Sequence, residues 1–259
     1  FVVEADVRLT AQPQPQLVMV LGVAKFRDLL AVLDHFNGAL TLSAFEFFSE
    51  LALQKVTAHR DLPRPLNQPA AFYALIEFDA SAMEDAAAAF EHCLEQGWVA
   101  DGVLSQSEAQ ARALWQLREG ISESIAGYAP YKNDLSVRIS QMPEFLDEVD
   151  ALVQAQYPDF EVCWYGHIGD GNLHLNILKP AAMSQQEFYD RCHRISPKIF
   201  ERVAAHGGSI SAEHGVGLLK RDFLGYSRSP EEVEVMRAMK AVLDPCGVMN
   251  PGKLLAGPG

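Results

Sequence analysis

Residues 164–176, WYGHIGDGNLHLN, run two strand-like stretches into a four-residue turn of Gly169, Asp170, Gly171 and Asn172. Gly, Asp and Asn accept left-handed backbone angles and bond their own turns, so the chain folds straight back on itself there. A connection this short cannot carry a parallel crossover, and the two strands must pair antiparallel. Several other strand pairs are joined as briefly. The pattern predicts an α+β fold: a ferredoxin-like antiparallel sheet with helices on one face and a helical C-terminal subregion.

The rest of the chain fits that frame. Residues 17–36 read as a strand, a turn at Gly22 and an amphipathic helix with Phe26, Leu29, Leu30 and Leu33 on one face. A strand through Leu40, Leu42 and Phe45 follows, then a proline-rich surface loop over residues 57–70, then a strand at 71–78. Ser81 with Glu84 predicts a capping box opening an alanine-rich helix that ends at Gly97, and Ser107 caps a longer helix to Gly127. Strands at 134–139, 161–167 and 173–178 flank a helix at 143–156. Ser184 and Glu187 start a helix bent at Pro197, and one more helix spans 230–243. We divide the chain into a substrate- and metal-binding part, 1–180, and a helical part, 181–259. Residues 1–9 alternate like a strand, so we expect the chain to begin inside a structured region rather than at a natural terminus.

With 21 basic against 34 acidic residues, the net charge of −13 repels phosphate backbones and anionic lipid surfaces, which argues against nucleic-acid and membrane-surface binding. No run approaches the roughly 20 apolar residues of a membrane span. The four cysteines, Cys93, Cys163, Cys192 and Cys246, form no C-x-x-C pair, and a reducing, cytoplasmic setting is the expectation. A homo-oligomer is compatible with this composition.

Chemistry concentrates in three places. His167 and His174 flank the tight turn, and folding back there sets two imidazoles side by side as a half-site for zinc or a similar divalent ion. Read alone, they could equally pair with backbone groups beside the turn. Residues 209–219, SISAEHGVGLL, then add Glu213 and His214 before two glycines. Glu213 can complete a His₂Glu set with an open coordination position, whereas the plainer reading has both residues capping a helix that starts near Val216. Taken together, the segments favour a metal. Third, Arg118 and Ser122 share a helix face and Lys132 follows shortly after, a set suited to a substrate carboxylate. Against this, Arg118 could simply pair with Glu119 or Glu123 on a solvated surface.

The blocks WQLREGISES, YKNDLSV, GHIGDGNLHLN, SAEHGVGLLKRDFL and LDPCGVMNPGKLL, in this order, resemble the C-terminal half of the FAD-linked oxidase family, which includes D-lactate, glycolate and D-2-hydroxyglutarate dehydrogenases. SAEHGVGLLKRDFLGYS and YKNDLSV look closest to the D-2-hydroxyglutarate branch. The resemblance implies that His167, His174 and Glu213 are metal ligands and His214 a general base. It implies that Arg118, Ser122 and Lys132 bind carboxylate, with Ser122 standing where relatives often carry threonine. By the same likeness Asn176 lines the substrate pocket, and Asn250 and Lys253 lie near the flavin. Nothing in the chain resembles the family's N-terminal FAD-binding domain, and the Gly215–Gly217 segment lacks the G-x-G-x-x-G pattern. The expected activity is therefore oxidation of a small 2-hydroxyacid by FAD with metal assistance, this chain being inactive without the flavin domain of its parent; the electron acceptor is left open. A metal-dependent hydrolase and a non-catalytic ferredoxin-like anion-binding module are the competing classes. The first predicts turnover by this chain and metal alone, the second anion binding indifferent to chelators.

Overall fold

Seven strands form one sheet, in the order β4-β1-β3-β2-β6-β7-β5. They are β1 (Gln16–Val23), β2 (Leu42–Ser49), β3 (Phe72–Asp79), β4 (Asp101–Leu104), β5 (Tyr131–Ser136), β6 (Glu161–His167) and β7 (Asn172–Leu178). Every neighbouring pair is antiparallel, as the short connections require. The computed structural model describes residues 2–9 and 14–255. The helices are α1 (Phe26–Ala39), α2 (Glu50–Arg60), α3 (Met83–Glu95), α4 (Glu108–Glu119), α5 (Ile121–Ser124), α6 (Met142–Gln156), α7 (Gln185–Ala205) and α8 (Pro230–Leu243). Among the described residues, no helix is long and apolar enough to cross a membrane.

The α+β class and the antiparallel sheet are as expected, but the helices cover both faces rather than one. In β1, Met19 and Leu21 pack with α1 and α3, in a core that continues through α6 and α7. Val18 and Val20, which alternate with them along the strand, pack with α2, α4 and α5. The seven successive apolar or glycine residues from Leu17 to Val23 suit burial on both sides. Helix α2 carries only three buried residues, Ala52, Leu53 and Val56, too weak a stripe to stand out from its polar surroundings. Gly120, between α4 and α5, lies so close to α2 that a Cβ there would sit 2.8 Å from Val56 Cγ2. That contact seats the second helical layer.

Other local expectations shift. Gly22 lies within β1, and the turn comes just after it. Ser81 forms no capping box, since its N–H and hydroxyl both donate to Asp79 Oδ1, at 2.8 and 2.7 Å. The caps of Ser107 and Ser184 are present. Strand β5 starts at Tyr131, earlier than residue 134, which draws Lys132 into the sheet. Residues 2–9 form no strand and leave Val2, Val3, Val7 and Leu9 exposed; Phe1 lies outside the described residues. Helix α7 contributes Phe188, Ile195 and Ile199 to the same core as α6.

Beneath β6, Trp164 Nε1 donates to Asp150 Oδ1 at 2.8 Å. Burial, the largest influence, raises the Asp150 carboxyl from its ordinary 3.8 to about 6. A carboxyl whose folded pKa is raised contributes its full stability below the unfolded pKa and loses it as pH rises through the folded one. Asp150→Asn keeps an acceptor for the indole and removes the charge. It should therefore stabilise the fold by about 3 kcal/mol at pH 7.5 and by nothing near pH 3, as read by urea unfolding.

Candidate functional site

Register builds the site. Residues directly opposed across neighbouring strands point to the same face. One such row is Glu46, His167 and Asn172, from β2, β6 and β7; the next is Tyr165, His174 and Asp134, from β6, β7 and β5; then Asn176 stands opposite Lys132. All lie on the α2–α5 side of the sheet, near the end where those helices give way to polar side chains. The tight turn is a short 3-10 stretch, Ile168–Asp170, closed by Gly171 at φ +77, where a Cβ would meet Val137 O at 2.3 Å. The hairpin sets the His167 and His174 rings 5.3 Å apart at 84°.

The segment after α7 completes the group. Ser209 forms an antiparallel bridge with Ser136, carrying the chain to the end of β5. Asp134 Oδ2 then accepts from the N–H groups of Glu213 and His214, at 2.7 and 3.0 Å. Lys220 Nζ donates to Asp134 O at 3.0 Å and to Ile210 O, closing the loop at its far end. No helix starts at Val216; the next helical turn is a 3-10 stretch, Arg221–Tyr226, so Glu213 and His214 have no helix there to cap. His167, His174 and Glu213 each direct one ligand atom into a volume where these atoms lie within 4.8 Å of one another. His167 Nε2 stands 3.3 Å from Glu213 Oε1, and Asn172 Nδ2 donates to that same oxygen.

The electrostatics suit a cation. Burial, aided by the charges of Arg118 and His167, pushes His174 down to about 4, so its ring is neutral and its lone pair free at neutral pH. His167 is shifted upward, chiefly by its hydrogen bond to Glu46, against the pull of burial. Burial works against ionised Asp134, yet the two loop N–H groups together with the nearby His214 and His174 rings outweigh it and lower its pKa. Two imidazoles and a carboxylate, converging but facing open space, fit a divalent ion such as zinc with a position left for another oxygen. His214 stands outside this trio, 67% exposed, with Nδ1 4.0 Å from Asp134 Oδ2.

A cavity of about 570 Å³ adjoins the trio, with Ser122, Lys132, Tyr165, His174, Asn176, Glu213, His214 and Lys220 in its walls. Lys132 Nζ donates to Ser122 Oγ at 2.9 Å. Burial lowers Lys220 to about 8, which leaves a second ammonium in the wall. Arg118 is absent from the wall. It is 8% exposed and lies beneath, its guanidinium 4.8 Å from the centre of the Tyr165 ring and its Nη2 2.9 Å from Glu46 Oε2. That contact is off hydrogen-bond alignment, so Arg118 Nε and Nη2 keep unused donors. Neither Glu119 nor Glu123 is its ion-pair partner; Glu123 pairs with Arg60. Asn250 and Lys253 also lie off the cavity wall, but Leu254 N donates to Gly217 O at 2.8 Å, tying their segment to the loop that carries Glu213 and His214.

Four residues of this site escape a motif reading. Tyr165 and Asp134 were legible in principle, each sharing a strand face with a flagged residue two places away. Lys220 gave no signal because its role depends on where an irregular loop closes. Glu46 meets His167 across 121 residues of sequence, through a strand pairing that periodicity cannot reveal.

Residues 12–254 match the family described as FAD linked oxidases, C-terminal domain. The chain is 56% identical over 259 residues to a D-2-hydroxyglutarate dehydrogenase of Stutzerimonas stutzeri (strain A1501), a match covering 99% of this chain and 56% of that protein. It is 53% identical over 256 residues to a D-2-hydroxyglutarate dehydrogenase of Xanthomonas citri pv. viticola, covering 98% of this chain and 54% of that protein. The chain thus spans about half the length of the curated relatives it matches. Its fold is similar to that of the 4-ethylphenol oxidase from Gulosibacter chungangensis, with a TM-score of 0.65 over 97% of this chain and 55% of that one; at 12% identity the likeness concerns fold alone.

Proposed function

Since the chain belongs to the FAD linked oxidases, C-terminal domain family, we propose that it is the substrate- and metal-binding part of an FAD-dependent D-2-hydroxyacid dehydrogenase. The substrate is a small 2-hydroxyacid of the D-2-hydroxyglutarate or D-lactate type, and the product is the 2-oxoacid. The observation that carries this reading is the meeting of His167, His174 and Glu213 beside a cavity that His214, Ser122 and Lys132 help to line.

Lys132 and Ser122 bind a substrate carboxylate, exchanging their mutual hydrogen bond for charge-assisted bonds to it. Asn176, opposite Lys132, supplies a further polar contact. Arg118 adds positive charge and unused donors from beneath Tyr165. A divalent ion on His167, His174 and Glu213 would supply Lewis-acid polarisation that lowers the pKa of the substrate hydroxyl. His214 takes the hydroxyl proton at Nε2, the nitrogen turned away from Asp134, and its exposure lets that proton pass on to solvent. FAD, held mainly by the remainder of the parent protein, supplies the hydride acceptor.

In this division of labour residues 1–180 bind substrate and most of the metal, and residues 181–259 complete the metal site and face the flavin, with Asn250 and Lys253 on that side. The exposed Val235, Met239 and Val242 of α8 support a docking face for the flavin domain. Four unbonded cysteines support a reducing, cytoplasmic setting.

The test is dye reduction by the full-length parent protein with D-2-hydroxyglutarate and D-lactate; failure with both would refute the substrate class. Within that assay Lys132→Ala should raise KM by about 10- to 100-fold, the value of one charge-assisted bond, with a smaller effect on kcat. An unchanged KM would remove Lys132 from the carboxylate site.

A further inference from the structure

The carboxylate behind His167 belongs to no motif, yet its geometry has a definite consequence. Glu46 is 7% exposed on β2, directly opposite His167 in the β2–β6 pairing. Its Oε1 lies 2.7 Å from His167 Nδ1. An ionised carboxylate only accepts, so Nδ1 carries the proton and Nε2 keeps the lone pair. Nε2 is the nitrogen that faces Glu213, at 3.3 Å.

We propose that Glu46 is a positioning residue for the metal centre: by accepting from Nδ1 it fixes the tautomer and the ring plane of His167, so that Nε2 is presented to the ion. The pairing also makes the imidazole a better donor, as carboxylates behind metal-binding histidines do. Arg118 completes the arrangement. A buried carboxylate needs a countercharge, and Arg118 Nη2 supplies it 2.9 Å from the second oxygen, Glu46 Oε2. Arg118 thereby acts on the metal site through Glu46 and His167 as well as on the cavity.

The inference rests on the reading of His167 as a ligand, and the experiment separates the two. Zinc affinity of the full-length parent protein is measured by equilibrium dialysis against buffered free Zn²⁺, with zinc counted by elemental analysis. Glu46→Gln should weaken binding by about 10- to 100-fold while the stoichiometry at saturation stays at the wild-type value. Saturating zinc should then restore kcat to within a few-fold, a recovery that general structural damage would not allow. Because Glu46→Gln leaves Arg118 unpaired, the double variant Glu46→Gln/Arg118→Met is measured beside it. That variant carries no uncompensated buried charge and should show the same loss of zinc affinity. Zinc binding within about twofold of wild type in both variants, while His167→Ala loses it, would overturn the positioning role and leave the metal reading intact. Wild-type binding in His167→Ala as well would overturn both.

Discussion

Alanine in place of His174 is expected to weaken divalent-ion binding by more than about 100-fold, beyond the loss typical of a supporting residue. The reason lies in where the ring sits. Its side chain is 14% exposed, in the second strand of the hairpin, and burial holds it neutral, so no proton competes for its lone pair near pH 7. His167 differs: its pKa lies above the ordinary 6.5, and binding should therefore fade as pH falls through that raised value. Removing His174 leaves one imidazole and one carboxylate, a pair that exposed acidic surfaces match without specificity. Zinc retained by the full-length His174→Ala variant, dialysed against buffered free metal, reads the effect directly. Equal zinc in wild type and in the His167→Ala/His174→Ala double variant would remove the metal from the account.

The second large effect is kinetic. His214→Ala in the full-length protein should lower kcat by about 100- to 10,000-fold, the range for a positioned general base, and leave KM within a few-fold of wild type. The loop holds His214 through its backbone N–H on Asp134, not through its ring, so truncating the ring leaves the loop's anchor in place. The effect should thus fall on proton transfer and not on binding. A deuterium isotope effect at the substrate carbon shows whether chemistry limits the rate. Wild-type kcat in His214→Ala under that condition would exclude the general-base role.

Local chemistry was readable along the chain wherever the information was local. The GDGN turn fixed the pairing of β6 with β7, and with it the meeting of His167 and His174, because a hairpin register follows from its turn. Strand β6 and helix α8 fall at the expected bounds, the helix opened by the Ser229 capping box. What escaped was long-range. The two-sided burial of β1 to β3 depends on α2 and α4 returning over the sheet, and α2 has too few apolar residues to signal this. Strand β4 is only 4 residues long, too short for alternation to register. The i, i+4 spacing places Arg118 and Ser122 on one helix face, close in sequence to Lys132. That spacing says nothing of depth, and the side chain lies beneath Tyr165, against Glu46.

If a metal held by His167, His174 and Glu213 assists transfer of hydride from a 2-hydroxyacid to FAD, flavin reduction must depend on that metal. The full-length parent protein is stripped with chelator, mixed anaerobically with D-2-hydroxyglutarate, and followed by the loss of the flavin absorbance band; the same protein is then mixed after zinc is returned. Bleaching is expected in the native protein, little or none after stripping, and recovery with about one zinc per chain. Bleaching at the native rate in fully stripped protein would contradict metal assistance.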